Sequence, residues 1–433
     1  MNRSTRVGQL LSWVVAITPV FIVLVFAPRP EVTSAGVLLD NLGRLLGLVG
    51  ISLYAWNLIL SARIPFIERQ FGGLDKLYRV HHIIGGLAFI ALLIHPLLIT
   101  ARYALISFAS AYQFLIPNTE DIALQAGKVA VGGMVVVLFI TFYIWVSHER
   151  FVWIHRLTGA LFAVAVYHAF FVRGSRVLAV TPLAWYLGSL SAVALVLFMY
   201  RYVFKSVRPR RKFTVEDIKD LGGAWQLTLC PVSRTIDHRA GQFVFITFTS
   251  SNLPQQTHPF TISSGESEDS LRFTIKDLGD FTSQLGNLHA GDNVFVEGPY
   301  GTFNYQAVER SKQIWVAGGI GITPFLAMAR SLSKDDGIDA HLFYSVTDAS
   351  QAYFADELVQ LAKASGGLLR FTLHDSSKKG FLTADTITAE VADALERELM
   401  ICGPGSMMKA VKQQFADKGM PKQHMQSEEF SFL

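Results

Sequence analysis

The chain has 433 residues, 51% of them hydrophobic and only 17% charged, with a formal net charge of +4. That balance excludes a nucleic-acid-binding footprint and fits a membrane domain joined to a soluble one better than a wholly soluble chain. Its two cysteines, Cys230 and Cys402, exclude a disulfide framework and a cysteine-based zinc site.

Six apolar stretches, at about 10–27, 36–60, 79–101, 126–147, 151–172 and 182–204, are each long enough to span a bilayer as a helix. The first contains Pro19 and is followed by no Ala-x-Ala-like cleavage site, so it reads as a retained helix and not a signal peptide. Arginine and lysine set the orientation. Arg3 and Arg6 precede the first span, Arg63, Arg69, Lys76 and Arg79 lie between the second and third, Arg150 follows the fourth, and Arg201 to Lys212 form a basic cluster after the sixth. The alternate loops carry fewer, and the positive-inside rule then places both termini in the cytoplasm.

The third and fifth spans carry histidines in matched positions: His81 and His95 on one, His155 and His168 on the other, 14 and 13 residues apart. At 1.5 Å per residue these separations are roughly 20 Å, about two-thirds of the hydrocarbon thickness. A lone buried histidine is usually hydrogen-bonded filler, but ionisable groups inside spans are costly and functional by default. Two facing helices would offer two levels of paired imidazoles, and bis-imidazole ligation of two stacked haems is the chemistry that fits. His82 competes with His81 for the inner level. Fourteen residues at 100° return to within about 40° of the starting face, which favours His81. The 13-residue spacing does not return, so the fifth span needs a tilt or a local irregularity. The orientation puts His81 and His155 at the inner level, His95 and His168 at the outer. Arg44, in the outer half of the second span, is expected to meet a haem propionate or a charged acceptor.

At about residue 207 the composition changes, and Pro209 with the basic cluster marks a linker. Short alternating runs follow at Trp225–Cys230, Gln242–Thr249, Phe260–Ser263, Leu271–Lys276 and Asn293–Glu297. Several short strands at such spacing predict a small antiparallel barrel. From Gln313 the pattern becomes strand, glycine turn and helix: Gln313–Val316 leads into Gly318-Gly-Ile-Gly-Ile-Thr-Pro324, and His341–Ser345, Leu368–Leu373 and Leu399–Cys402 supply further strands. This is an α/β nucleotide-binding layout. Gly318, Gly319 and Gly321 allow close backbone approach, and the helix opened by Thr323-Pro324 favours a pyrophosphate at its N-terminus. Glycine turns serve packing as well, so this motif alone is weak. His258-Pro-Phe-Thr261 and Lys276-Asp-Leu-Gly-Asp-Phe-Thr282 bring an aromatic, a hydroxyl and basic groups together in a pattern that suits a flavin and its phosphates, or ordinary strand and turn chemistry.

His258-Pro-Phe-Thr261, Gly279-Asp-Phe-Thr282, Glu297-Gly-Pro-Tyr-Gly301, Gly318–Pro324 and Cys402-Gly-Pro404 occur in that order. The series resembles the ferredoxin-reductase-type flavoprotein module. Behind six spans with those histidines, residues 40–433 resemble the NADPH oxidase/ferric reductase family in its short bacterial form. The resemblance implies a six-helix all-α transmembrane di-haem domain over 1–206, an antiparallel β-barrel FAD domain over 207–310 and an α/β Rossmann-like NAD(P) domain over 311–433.

It also implies site residues. His81, His95, His155 and His168 would ligate two b-type haem irons. His258, Pro259, Phe260, Thr261, Lys276, Gly279, Asp280, Phe281 and Thr282 would line FAD, with Thr261 near flavin N5. Gly318, Gly319, Gly321, Thr323, Pro324, Cys402, Gly403 and Pro404 would hold NADPH or NADH, with Thr261 and Cys402 closest to the chemistry. A C-terminal aromatic stacks on the flavin in such proteins; Phe430 best matches it and Phe432 is the alternative. The family's NADPH-preferring members often carry an arginine just after the second nucleotide-domain strand. Here Ser345-Val-Thr347 stands there, with Lys378 and Lys379 as possible substitutes. NADPH is therefore expected to exceed NADH by less than about a hundredfold in kcat/KM. Ile99 stands where oxidases of the family often have a polar residue, and no EF-hand pattern occurs.

The expected function is electron transfer from cytoplasmic NAD(P)H through FAD and two haems to an external acceptor, O2 giving superoxide first and a ferric chelate next. Lipid is the expected surround, with no nucleic acid and no obligate protein partner. A haem-delivering partner subunit and a transporter with a regulatory flavodomain are the competing classes. The absence of a duplicated half speaks against the transporter.

Overall fold

The computed structural model describes residues 3–28, 34–116, 121–144, 148–204, 210–250 and 253–428. The chain divides into two compact units, one comprising Ser4–Phe71 and Lys76–Arg208, the other Pro209–Leu433 with the short pieces Met1–Arg3 and Gly72–Asp75.

The first unit is all helix: α1 (Arg3–Phe26), α2 (Ala35–Ser61), α3 (Pro65–Phe71), α4 (Leu74–Ala104), α5 (Phe108–Leu115), α6 (Ile122–Tyr143), α7 (His148–His155), α8 (Leu157–Phe171) and α9 (Thr181–Tyr202). Among the described residues six helical stretches are long and apolar enough to cross a bilayer, within α1, α2, α4, α6, α7–α8 and α9. Their outer faces expose Leu10, Ile17, Ile90, Val136 and Val196. Such a surface is unfavourable in water and suited to lipid, so the chain is a multi-pass membrane protein. The fourth span begins four residues before the expected 126, because the side chain of Asp121 caps α6 by accepting a hydrogen bond from the Leu124 N–H at 3.1 Å. The fifth span is broken between α7 and α8 at Arg156, where the Gly159 N–H bonds back three residues to the Arg156 carbonyl. This is the irregularity that the 13-residue histidine spacing requires.

In the second unit a six-stranded antiparallel sheet contains β1 (Arg211–Asp220), β2 (Ala224–Pro231), β3 (Phe243–Phe248), β4 (Thr257–Thr261), β5 (Leu271–Lys276) and β6 (Asn293–Tyr300), in the order β4-β3-β6-β1-β2-β5. A bridge between Ile262 and Phe273 joins the two edges, so the sheet closes as a barrel around Phe213, Leu227, Ile246 and Phe273. Strand β1 has no counterpart among the expected runs. Its sequence, RKFTVEDIKD, buries only Phe213 and Val215 and is charged at six of its other eight positions, so it reads as the end of the basic linker. Strand β4 starts three residues earlier than expected because Thr257 already pairs with Thr247 of β3, and it ends at Thr261, beyond which Ile262 bridges Phe273 and the Ser263 N–H bonds the Arg272 carbonyl of β5.

The remainder is a parallel sheet of β7 (Lys312–Gly318), β8 (Asp339–Val346), β9 (Leu369–Asp375), β10 (Glu398–Cys402) and β11 (Met425–Glu428), ordered β11-β10-β7-β8-β9. Helices α10 (Thr323–Ser331), α11 (Ala355–Ala364), α12 (Ser376–Lys379), α13 (Ala384–Glu390) and α14 (Gly405–Asp417) connect the strands. Strand β11 ends at Glu428, and Phe430 and Phe432 lie outside the described residues.

One buried titratable group makes this sheet sensitive to pH. His341 on β8 is 6% exposed, stacks on Phe343 at 4.3 Å and shares a 2.9 Å hydrogen bond between Nε2 and Thr372 Oγ1. Burial first, and then the Arg370 charge, push its pKa down from 6.5 to about 4. The folded state therefore favours the neutral ring. Its contribution is complete above pH 6.5 and is lost as pH falls from 6.5 towards 4. The thermal midpoint of the soluble-unit transition should fall over that window, with a shallower slope in His341→Gln. Asp393, held down to about 2 by Arg397 and Lys312, acts only in the lower window between 3.8 and 2, which separates the two effects.

Candidate functional site

In the helical unit the four histidines form two facing pairs. The ring centres of His81 and His155 are 6.4 Å apart, and those of His95 and His168 are 6.3 Å apart. His82 is exposed on the outside of the same helix. The orientation of the rings is fixed from behind. His95 Nδ1 lies 2.7 Å from the Gly43 carbonyl, His168 Nδ1 2.8 Å from that of Ala123, and His81 Nδ1 3.1 Å from that of Asn57. A carbonyl only accepts, so each of these Nδ1 atoms carries the proton and donates it, leaving the Nε2 lone pair free for a metal. Among the described residues the His155 Nδ1 has no such partner, and the ring instead stacks on Phe151 at 5.7 Å with an interplanar angle of 3°.

Two glycines make room for the outer pair. A Cβ on Gly47 would stand 3.0 Å from His95 Nδ1, and one on Gly127 would stand 2.5 Å from His168 Nδ1. Arg44, next to Gly43, donates to Asp40 at 2.8 Å and to the Gly174 carbonyl at 2.6 Å, while Arg102 donates to the other Asp40 oxygen at 2.6 Å. Arg44 thus lies at the level of His95 with its charge already paired. Arg176, bonded to Asn41 at 2.6 Å, adds a further cation at this end.

In the barrel, β4 and the turn after β5 converge. The His258 ring stacks on Phe281 at 4.0 Å, and its Nε2 shares a 2.9 Å hydrogen bond with Gln256 Oε1. Phe248 packs behind both Phe260 and Phe281, at 6.4 and 5.4 Å. His258, Pro259, Phe260 and Thr261 are all half-buried, so β4 presents an open aromatic face of the kind a planar ring occupies. Thr282 Oγ1 accepts the N–H groups of Leu278 and Gly279 at 2.9 and 3.1 Å and so shapes the turn carrying Asp280. Lys276, Gly279 and Asp280 are exposed around it.

At the carboxyl edge of the parallel sheet the two nucleotide motifs meet backbone to backbone. A Cβ on Gly321 would collide with the Cys402 carbonyl and lie 2.8 Å from Gly403 Cα, and one on Gly318 would lie 2.6 Å from Met407 Sδ and 2.8 Å from Pro404 Cδ. Gly319 adopts φ +53 with open space around it. Thr323 and Pro324 then open α10, whose N-terminus faces this turn. Cys402 is fully buried, and burial, then Glu428, push its thiol well up, so it is a neutral group and no nucleophile.

Asp375 and Asp348, at the ends of β9 and β8, belong to the same edge. Sequence reasoning does not find them. It looks for a cation after the second strand, and it ends the third strand at 373, two residues before the aspartate.

The comparisons agree domain by domain. Residues 46–166 match the ferric reductase like transmembrane component, 224–304 an FAD-binding domain, and 315–413 an oxidoreductase NAD-binding domain. Flavohemoprotein A of Dictyostelium discoideum is 30% identical over 45% of this chain and 52% of its own length. The glycine betaine monooxygenase reductase subunit of Chromohalobacter salexigens is 29% identical over 44% of this chain and 52% of its own. The chain thus spans about half the length of these curated relatives. The flavohemoglobin structure from Malassezia yamatoensis, with bound FAD and heme, aligns over 100% of this chain and 99% of its own at TM-score 0.51 and 17% identity, a likeness of fold. The chain thus joins a ferric-reductase-like transmembrane component to an FAD-binding domain and an oxidoreductase NAD-binding domain, the arrangement that its resemblance to the NADPH oxidase/ferric reductase family implies.

Proposed function

We propose that the chain passes electrons from cytoplasmic NAD(P)H, through FAD and two b-type haems, to an acceptor on the other side of the membrane. The observation that carries the reading is the pairing of the four histidines. An imidazole–metal bond is about 2.0–2.1 Å, so two imidazoles that would hold one metal between them need facing rings with centres roughly 6 Å apart. The pairs stand at 6.4 and 6.3 Å. Bound there, haem would supply one-electron transfer and FAD hydride acceptance.

The residues of the chain do the rest. The carbonyls of Gly43, Ala123 and Asn57 hold three imidazoles in the ligating tautomer. His81 with His155, and His95 with His168, would each hold one haem between them, and the groups so held would supply one-electron transfer to the acceptor. The β4 face and the Thr282 turn would orient the flavin. The turn over Gly318–Gly321 and the Cys402–Pro404 backbone would hold the nucleotide.

Oxygen, giving superoxide, is the first choice of acceptor. A ferric chelate is the second reading, favoured by Arg44, Arg102 and Arg176 at the outer histidine level, since such chelates are commonly anionic. The excess of basic residues in alternate loops supports placing the soluble module in the cytoplasm.

The test is spectroscopic. Purified protein given NADH or NADPH without oxygen should develop reduced b-type haem bands with no added partner. Bands that appear only with a second protein would overturn the reading in favour of an electron-delivery subunit, the role that the names of the reductase-component relatives describe for those proteins. Superoxide formation and ferric-chelate reduction, measured side by side, separate the two acceptors.

The aromatic lid belongs to the same reading. By the family resemblance the Phe430 ring would compete with the nicotinamide for the flavin face with a stacking energy on the order of 1 kcal/mol, so Phe430→Ser should lower the nucleotide KM and alter kcat while FAD and haem content stay constant. An effect of Phe432→Ser alone would move the lid by two residues.

A further inference from the structure

The carboxyl edge of the parallel sheet holds a buried carboxylate oxygen that has no hydrogen-bond donor among the described residues. Asp375 is the last residue of β9 and is 7% exposed. Its Oδ1 accepts the Ser377 N–H at 3.0 Å and the Ser377 hydroxyl at 2.6 Å, capping the short helix α12. Its Oδ2 is buried and has no hydrogen-bond donor among the described residues. The Lys378 ammonium stands 3.5 Å away, on a side chain that is 76% exposed. Native structures rarely leave such an atom unmatched, and an exposed lysine is a loose partner for it.

The position identifies what could match it. Gly318 of the glycine turn is in register with Ser345, Ser345 with His374, and Val346 with Asp375. Asp375 therefore lies on the same edge as the turn, two strands away, roughly 10 Å at about 4.8 Å per strand. That is the reach of a nucleoside from a pyrophosphate seated on the turn. The loop is tied down there: the Ser377 N–H also bonds the Thr347 carbonyl at 3.0 Å, and the hydroxyls of Ser345 and Ser376 are 3.3 Å apart.

A second carboxylate flanks the first. Asp348 lies two residues past β8, and its Oδ1 accepts the Ser350 N–H at 2.8 Å and the Ser350 hydroxyl at 2.6 Å. The Ser350 hydroxyl holds the Asp348 carboxyl below its usual range, and the Ser377 hydroxyl does the same for Asp375, so both are ionised at neutral pH. Between residues 345 and 380 the only arginine is Arg370, which donates to Asp339 at 2.9 Å at the opposite end of the strands. The edge thus offers two carboxylates, and one oxygen whose partner is the exposed Lys378 ammonium, where a phosphate would need a fork of donors.

We propose that Asp375 accepts the 2′-hydroxyl of the adenosine ribose and, with Asp348, repels a 2′-phosphate, so that this chain takes its electrons from NADH in preference to NADPH. The proposal rests on reading the module as a nicotinamide-nucleotide site. It names Lys378 as a counter-ion of Asp375 and not a phosphate ligand.

Two measurements on the full chain in detergent test it. In calorimetry, 5′-ADP should bind at least about tenfold more tightly than 2′,5′-ADP, and Asp375→Asn, which keeps the helix cap, should shrink that ratio about tenfold. In anaerobic stopped flow, the rate of flavin bleaching per unit nucleotide should favour NADH by a similar factor, and Asp348→Asn with Asp375→Asn should bring NADPH level. Equal or tighter binding of 2′,5′-ADP by the unaltered chain overturns the proposal, as does an Asp375→Asn variant that weakens both ligands equally. A chain that prefers 5′-ADP but whose flavin neither NADH nor NADPH reduces would support the ribose contact and overturn the proposed function.

Discussion

Alanine at His95 or His168 should remove one of two haems and cut reduction of the external acceptor at least about a hundredfold, equivalent to about 2.7 kcal/mol or more of lost transition-state stabilisation. The size of the effect follows from how each imidazole is held. His95 and His168 donate Nδ1–H to the Gly43 and Ala123 carbonyls and face each other at 6.3 Å. Removing either leaves its partner without a counterpart, so that the pair would no longer hold a haem. His81→Ala and His155→Ala should remove the inner haem in the same way. Haem content by pyridine haemochrome and acceptor reduction are the measurements. If His82→Ala removes a haem while His81→Ala does not, the inner pair is assigned one residue out of place. Gly127→Ala offers a test that leaves every ligand intact. Its Cβ would lie 2.5 Å from His168 Nδ1, so the ring must shift, and the outer haem should be weakened or lost while the inner one stays.

The histidine pairing was legible because membrane helices make the sequence arithmetic simple. Spans have a required length, polar residues inside them stand out, and a spacing of 14 returns to the same face. The break at Arg156 was required by the count of 13 but could not be placed, since it depends on the Thr158 hydroxyl bonding back to the His155 carbonyl at 2.6 Å and on tertiary packing around it. The glycine turn and the parallel strands were legible from periodicity and from the Gly318–Pro324 motif. Strand β1 was not, because a barrel strand with one wet face and only Phe213 and Val215 buried carries too little apolar pattern to separate it from a basic linker. Asp375 was hidden for another reason. Its meaning lies in an unmatched oxygen and in its register with Val346, and neither is written in the residue type. The carbonyls of Gly43, Asn57 and Ala123 behind the imidazoles are invisible for the same reason, since every residue has a carbonyl and only packing chooses which one meets an imidazole.

Gly321→Ala should raise the KM for the nicotinamide nucleotide roughly thirty- to a hundredfold, while FAD and both haems remain bound. The added methyl has nowhere to go. It would collide with the Cys402 carbonyl, lie 2.6 Å from the Cys402 carbonyl carbon and 2.8 Å from Gly403 Cα, and all three are backbone. A flexible side chain could swing aside, but this contact is relieved only by parting the turn after β7 from the turn after β10. Overpacking of that kind costs about 1–3 kcal/mol, and here it falls on the two segments that would clasp the nucleotide. The barrel and its β4 face, built on a separate core around Phe213 and Phe273, should not register it. Gly319→Ala is the control. Gly319 has φ +53 with nothing within 4 Å of the added atom, so it bears only the left-handed backbone penalty of about 1–2 kcal/mol. It should raise KM less than Gly321→Ala does. Nucleotide KM, flavin content and the thermal midpoint of the soluble unit distinguish the outcomes. A KM change in Gly319→Ala as large as that in Gly321→Ala would mean that backbone conformation, and not the close approach of the two turns, governs nucleotide binding. Loss of FAD in Gly321→Ala would mean that the contact holds the whole module together and not the nucleotide seat alone.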